Sequence, residues 1–339
     1  MTVSSNSSRT ECNVLRAAHA ELFVRDLTRA RAFYVDLLGF VETASDNDHL
    51  YLRCLEEREH HSLILCQKPQ TGAGHIAFRV ASPDDLESLA RLAQQQDLPH
   101  RWVIDEEQGQ GRALRLQDPM GLPIEFYCEM DKEPRMLQEY HLHSAVQMMR
   151  LDHFNCQIPD VATAARWYQQ MLGFRTIEYT VKETPHGDEL WASWMARKQT
   201  VHDLALMNGP GPRLHHVAFW LPDAMAVLRA CDVLAGAGYH HNIERGPGRH
   251  GLSNALFVYV RDPDGNRLEL YANDYLTADP DAEPIRWTLE DPRRQTFWGH
   301  FAPTSWFEEA MLLQNIHGNG FVTPRAPLLR DRSDYITVT

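Results

Sequence analysis

The chain contains its own near-copy, and that constrains its fold more than any other feature. Residues 26–40 match residues 160–174, each running from Asp26 or Asp160 over 13 residues to Gly39 or Gly173. This is the pattern of an Asp N-cap, an amphipathic helix carrying an aromatic pair, and a Gly C-cap that feeds a strand. Residues 117–127 match 261–271 in the same way, each an Asp-Pro-x-Gly turn followed by a strand signal. The two halves are therefore duplicates. Each half divides again, because residues 74–80 and 212–220 start new strands that lead into helices expected over Pro83–Gln95 and 222–237. Alternating helices and strands often mean a parallel sheet. Here one helix per unit is followed by tight turns and several short strands, which suits small curled mixed sheets. The expected class is α+β, with four βαβββ modules in two duplicated halves.

The expected division is a disordered tail over 1–15, an N-terminal domain over 16–128, a linker over 129–149, a C-terminal catalytic domain over 150–275 and a tail covering it over 276–339. A formal charge of −13 argues against nucleic acid or an anionic membrane as partner. Six scattered cysteines without a Cys-x-x-Cys pair read as reduced thiols in a cytoplasmic protein. No signal-peptide core or membrane-length apolar run is apparent.

The stretch 212–220 carries adjacent His215 and His216. Strand neighbours face opposite ways, so one of them faces a cavity. His216 takes that role beside Leu214 and the small Ala218, while His215 is read as a satisfied structural histidine. His153 and Glu269 lie on two further strand signals. Glu269 alone would be an ordinary solvent-facing glutamate, but with His153 and His216 it makes a metal site. Two imidazoles and a carboxylate leave three positions open on an octahedral ion, which suits non-haem Fe(II), with Mn(II) possible on the same ligands. Gly246-Pro247-Gly248 lacks the lysine and spacing of a phosphate loop and is read as a turn.

With these residues the chain resembles the vicinal oxygen chelate superfamily and, within it, the type I extradiol ring-cleaving dioxygenases. The stretches 151–155, 197–203, 213–219 and 243–251 look most like members acting on 3,4-dihydroxyphenylacetate, and the resemblance covers about residues 16–306. It implies the glyoxalase-type fold, an active site in the C-terminal half, and meta cleavage of that catechol by O2 to 5-carboxymethyl-2-hydroxymuconate semialdehyde. A homotetramer is the family expectation. His202 is the candidate base, since an imidazole titrates near neutrality. Asn155 could hydrogen-bond bound oxygen, Tyr259 matches the family's tyrosine beside the substrate oxygen, and His250, a further catalytic candidate, matches a pocket position. Trp194, Tyr271 and Trp306 match pocket positions. Arg245 and Arg294, with Arg293 as a possible substitute, would clamp the substrate carboxylate, which fits the planar guanidinium fork. Asp203 is read as structural.

Superposing the repeats puts His19, His61, His75 and Glu125 on His153, His202, His216 and Glu269. The first half could hold a second divalent metal. The plainer reading is that these are relics on a shrunken cavity, since His19 to Glu125 spans 106 residues against 116 from His153 to Glu269. The alternatives to the main reading are an extradiol enzyme for catechol or a biaryl diol, a glyoxalase-type lyase or isomerase, and a metal-free binding protein.

Overall fold

The structure is a computed structural model and describes residues 12–329. The first half forms β1 (Val14–Val24), β2 (Val41–Ser45), β3 (His49–Arg53), β4 (Leu63–Gln67), β5 (Gly72–Val80), β6 (His100–Val103), β7 (Ala113–Gln117) and β8 (Pro123–Tyr127). The second forms β9 (Arg150–Ile158), β10 (Arg175–Thr184), β11 (Gly187–Ala196), β12 (Leu204–Asn208), β13 (Arg213–Trp220), β14 (Ile243–Arg249), β15 (Leu256–Arg261) and β16 (Arg267–Ala272). Beyond them lie β17 (Ile285–Thr288) and β18 (Trp298–Gly299). The first sheet is ordered β2-β3-β4-β1-β5-β8-β7-β6. The second is ordered β10-β11-β12-β9-β13-β16-β15-β14, with β17 and β18 added at its two edges. The second order is the first with eight added to each label, so the duplication is one of topology as well as sequence. Within each βαβββ module the first and last strands pair in parallel, and two modules join antiparallel at β1/β5 and at β9/β13.

The helices are α1 (Leu27–Arg31), α2 (Pro83–Gln95), α3 (Val161–Leu172), α4 (Ala224–Gly236) and the short α5 (Thr304–Glu308). Asp26 and Asp160 cap α1 and α3, each accepting from backbone N–H groups of the first turn. Gly39 and Gly173 end the repeats at φ of 76° and 67°, where a Cβ would be strained. The two copies differ in one respect: α1 passes into a π-helical turn over Ala32–Leu37, whereas α3 stays α-helical.

Residues 12–15, expected in the tail, belong to the fold: Cys12 and Val14 are buried and β1 starts at Val14. The apolar alternation of the strand begins earlier than the repeat match does. Residues 1–11 of that expected tail lie outside the described residues. The segment 129–149 makes isolated bridges at Met130 and Lys132, a 3-10 turn at Tyr140–Leu142, and buries Val146 and Met148 in the core. One apolar core runs through both halves, with Phe78 against Phe154 and Phe174 and Phe40 edge-on to Phe219.

The two repeated motifs also meet each other. The Tyr34 hydroxyl, from the first helix, donates to Asp262 Oδ2 in the second Asp-Pro-x-Gly turn at 3.0 Å. Tyr168, its counterpart, donates to Asp118 Oδ2 in the first turn at 3.0 Å. The other oxygen of each Asp caps its own turn, accepting from Met120 and Leu122 N–H or from Asp264 and Asn266 N–H. Burial pushes both carboxyls up to about 6, against the lowering effect of these hydrogen bonds.

Tyr168→Phe should cost about 1–3 kcal/mol in urea denaturation, the usual penalty for a buried acceptor left unpaired, and Tyr34→Phe less, because Asn266 Nδ2–H still donates to Asp262 Oδ2. The folded pKa of about 6 lies above the ordinary 3.8. The stability each carboxyl contributes through its proton is therefore complete below about pH 4 and lost as the pH rises through about 6. Each tyrosine steadies the ionised form, so the cost of removing it should be larger at pH 8 than at pH 5. An equal cost at both pH values would contradict this assignment.

Candidate functional site

A single row of residues across the second sheet carries the site. In register, His153 on β9 faces Ala218 on β13, Ala218 faces Glu269 on β16, Glu269 faces Tyr259 on β15, and Tyr259 faces Arg245 on β14. The only small side chain in the row is Ala218, and the space above it is where the larger residues converge. His153 Nε2 lies 3.1 Å from Glu269 Oε2, and His216 Nε2 lies 3.0 Å from the same oxygen. The two imidazole Nε2 atoms are 3.4 Å apart. Ligands on neighbouring positions of a small divalent ion, at bonds of about 2.0–2.2 Å, sit about 3–3.5 Å apart. This buried set therefore fits such an ion. Burial alone would raise the Glu269 carboxyl, but His216, His153 and His250 hold it well below the usual range.

The lone pairs are aimed by neighbours. His153 Nδ1–H donates to Asp152 Oδ2 at 3.0 Å, which leaves Nε2 free to face the cluster. Burial opposes ionisation of Asp152, yet Lys198 and His153 keep its pKa low. His216 depends on a longer chain. The Trp306 carbonyl accepts from His215 Nε2–H at 2.6 Å, so His215 Nδ1 is an acceptor. It takes the proton of His216 Nδ1–H at 2.7 Å, which leaves His216 Nε2 as the free lone pair. Burial holds His215 well below its ordinary pKa and hence neutral, as this relay requires.

Simple alternation along β13 fails here. A register shift between Leu214 and His216 in the pairing with β9 sends Leu214 into the main core with Val217 and Phe219. His215 then shares the site side with His216 instead of opposing it, and its ring lies 4.5 Å from Trp306. A bulge cannot be read from residue types alone.

Around the cluster, the cavity wall includes Asn155, Trp194, His202, His250, Tyr259, Tyr271, Arg294 and Trp306, all expected there, together with Met207, Leu252, Ser253 and Gln295, which were not. His202 lies over His153 with ring centroids 3.7 Å apart, and burial keeps it neutral. Asp203 has the structural role expected: its carboxylate accepts from Arg197, Lys198 and Ala17 N–H, tying the loop that carries His202 to β1. At the other end of the row His250 stacks on Phe257, donates through Nδ1 to Gln295 O, and offers Nε2 to the Tyr259 hydroxyl at 3.1 Å. Glu178, absent from the expected set, holds the loop after His250 by accepting from Ser253 N–H, Tyr275 and Trp287.

The three arginines separate. Arg294 lines the cavity, with its guanidinium 5.2 Å from the Trp191 ring. Arg245 is buried one layer behind, against Phe257, Tyr259 and Trp306, and donates to Thr296 Oγ1 and Gln295 O. Its Nε and Nη1 have no hydrogen-bond partner, and burial lowers it to about 10. Arg293 is not at the site. Its side chain is 67% exposed and paired with Asp291, because consecutive residues of this loop turn opposite ways. The space left in the cavity is about 40 Å³, room for a water or two.

The model of the Glyoxalase/Bleomycin resistance protein/Dioxygenase superfamily matches residues 16–126 and 150–270. The manganese-dependent 2,3-dihydroxybiphenyl 1,2-dioxygenase of Geobacillus genomosp. 3 is 32% identical over 84% of this chain and 93% of its own. A metapyrocatechase of Geobacillus stearothermophilus is 30% identical over 90% and 96%. Among solved structures, homoprotocatechuate 2,3-dioxygenase from Brevibacterium fuscum in its anaerobic complex with 3,4-dihydroxyphenylacetate is 40% identical, with a TM-score of 0.89 over 94% of this chain and 99% of that one.

His215→Phe should keep the fold, judged by circular dichroism, and weaken Mn(II) binding by about 10–100-fold, the usual cost of losing a residue that orients a metal-binding histidine. Ala218→Leu should fill the space over the row and abolish binding at this site. Unchanged Mn(II) affinity in His215→Phe would remove the relay from the account.

Proposed function

The chain belongs to the glyoxalase/bleomycin resistance protein/dioxygenase superfamily, on its extradiol ring-cleaving branch, and from that premise we propose that it opens 3,4-dihydroxyphenylacetate with O2 to 5-carboxymethyl-2-hydroxymuconate semialdehyde. The observation that carries the substrate is the buried cationic end of the row, where Arg294 lines the cavity and Arg245 stands behind it. A carboxymethyl arm brings a carboxylate whose two oxygens match a guanidinium lining the cavity, which an uncharged catechol or a biaryl diol does not. The likeness to the Brevibacterium enzyme complexed with this compound supports the same choice.

In this reading His153, His216 and Glu269 hold Fe(II), with Mn(II) possible on the same donors. Such an ion supplies a meeting place for the catechol oxygens and O2 and a path for electrons between them. The rest is done by the chain. His202, neutral and over His153, can accept a proton on the oxygen side and return it. The pair Tyr259 and His250 stands at the opposite end, where the hydroxyl and imidazole can take and hold a catechol proton. Asn155, whose Oδ1 has no hydrogen-bond partner, shares the strand face of His153 and offers an amide to bound oxygen. Trp194, Tyr271 and Trp306 exclude water and fix the ring plane. Arg294 pairs with the carboxylate, and Arg245 holds its segment through Gln295 and Thr296.

Assembly as a homotetramer and a cytoplasmic location belong to the same proposal. No described helix is long and apolar enough to cross a membrane. Phe297, Trp298 and Phe301 are more than half exposed, or half in the case of Trp298, along the outer edge of the second sheet, which suits burial against another copy. Light scattering should give a particle of about four chains.

Loaded anaerobically with Fe(II) and mixed with air, the protein should form a yellow product from 3,4-dihydroxyphenylacetate with kcat/KM about 10–100-fold above that for catechol or 2,3-dihydroxybiphenyl, the value of one charge-assisted pair. Arg294→Gln should erase most of that preference and leave catechol turnover nearly unchanged. His202→Ala should retain metal and lose about 100-fold in kcat. A wild-type preference for the biphenyl diol would reject the substrate while leaving the ring-cleaving activity.

A further inference from the structure

The first sheet repeats the row of the second at the same register: His19 faces Ala77, Ala77 faces Glu125, and Glu125 faces Arg115. Here too an alanine leaves the space, and the larger side chains converge above it. His19 Nε2 and His75 Nε2 are 3.1 Å apart, and His19 Nε2 lies 3.3 Å from Glu125 Oε1. Glu107 completes the group, 3.2 Å from His75 Nε2 and 3.4 Å from His19 Nε2. It enters from the segment between β6 and β7, as His250 enters from the segment between β14 and β15. The His–His and His19–Glu125 separations match those of His153, His216 and Glu269, while His75 Nε2 lies 3.9 Å from Glu125 Oε2 and closer to Glu107.

We propose that His19, His75, Glu107 and Glu125 form a second divalent-cation site, structural in kind and separate from the ring-cleaving centre. Glu107 Oε2 is buried and has no hydrogen-bond partner, although His19 Nε2 and His61 Nε2 each lie 3.4 Å away. Gln110 donates to Glu125 Oε1 and Arg115 to Glu125 Oε2 and Glu107 Oε1, so the unpaired Glu107 Oε2, aimed at two imidazole nitrogens, is the atom a shared cation would gather. Two imidazoles and two carboxylates suit a borderline ion such as Mn(II), Fe(II) or Zn(II). Four protein ligands close the site in the manner of structural centres, where the C-terminal cluster has only three.

Two replacements argue against ring cleavage here. Arg115 stands at the register position of Tyr259 and pairs with Glu125 and Glu107, so it balances the second carboxylate where a substrate oxygen would otherwise lie. The mouth above Glu107 is lined by Asp46, Asp105, Glu106, Glu129 and Asp131. That rim attracts a cation and repels a carboxylated catechol, the reverse of the arginine-bearing second site. The competing occupant is a proton shared between the imidazoles and carboxylates.

Chelator-stripped protein titrated with Mn(II), with free Mn(II) read by its EPR signal, should withdraw two equivalents per chain. His19→Ala and Glu107→Gln should lose one of these, and His216→Ala the other. A single equivalent in the wild type, absent from His216→Ala, overturns the proposal however the first-half variants fold. Two equivalents that persist in both first-half variants also overturn it. A single equivalent that survives His216→Ala but not His19→Ala would sustain this site and count against the catalytic one, so the two readings fail separately.

Discussion

Every contact at the candidate centre depends on one alignment, the row His153, Ala218, Glu269, Tyr259 and Arg245 across four strand pairings. Strand side chains alternate with a period of two, so a slip of one residue in any pairing would turn a ligand into the core and a leucine into the cavity. The apolar faces enforce the register. Leu268 and Leu270 flank Glu269 and lie in the main core with Val217 and Phe219. Burial of those neighbours, about 1.5–3 kcal/mol each, works against the penalty of placing a carboxylate and two imidazoles in a dry site.

The two halves hold one another. Each repeat supplies a tyrosine and an aspartate, and each tyrosine reaches the aspartate of the other copy. A duplicated sequence with this exchange docks about a pseudo-twofold axis, and the shared aromatic core then has no cut that leaves either half complete. The rows of the two sheets face similar spaces over Ala77 and Ala218, yet they differ in charge. Arginine and glutamate in the first half stand where tyrosine and histidine stand in the second. The same scaffold thus carries a closed acidic cluster and an open one with a cationic wall.

Histidine is used in three electrical roles within a few ångströms. His153 and His216 are kept as lone-pair donors by the acceptor behind each, His202 is kept neutral by burial, and His215 serves only to relay a tautomer. The residue types tell His216 from His215 and make His215 a satisfied neighbour, as it is, but they put it on the opposite face of the strand. Its two hydrogen bonds also set the proton on His216.

The sequence by itself determined the duplication, the module pattern, the capped repeat helices, the Asp-Pro-x-Gly turns, the His153, His216 and Glu269 set and most of the cavity wall. These are legible because helix caps, turn residues and strand periodicity are local, and because the duplicate confirms each signal twice. Tertiary structure alone decided the bulge that brings His215 beside His216, the departure of Arg293 to the surface, and the arrival of Glu107 at the first cluster. It also decided the crossed Tyr–Asp contacts. Each of these depends on which strands pair and where a loop folds back, and those distances between residues far apart in sequence leave no periodic mark in the chain.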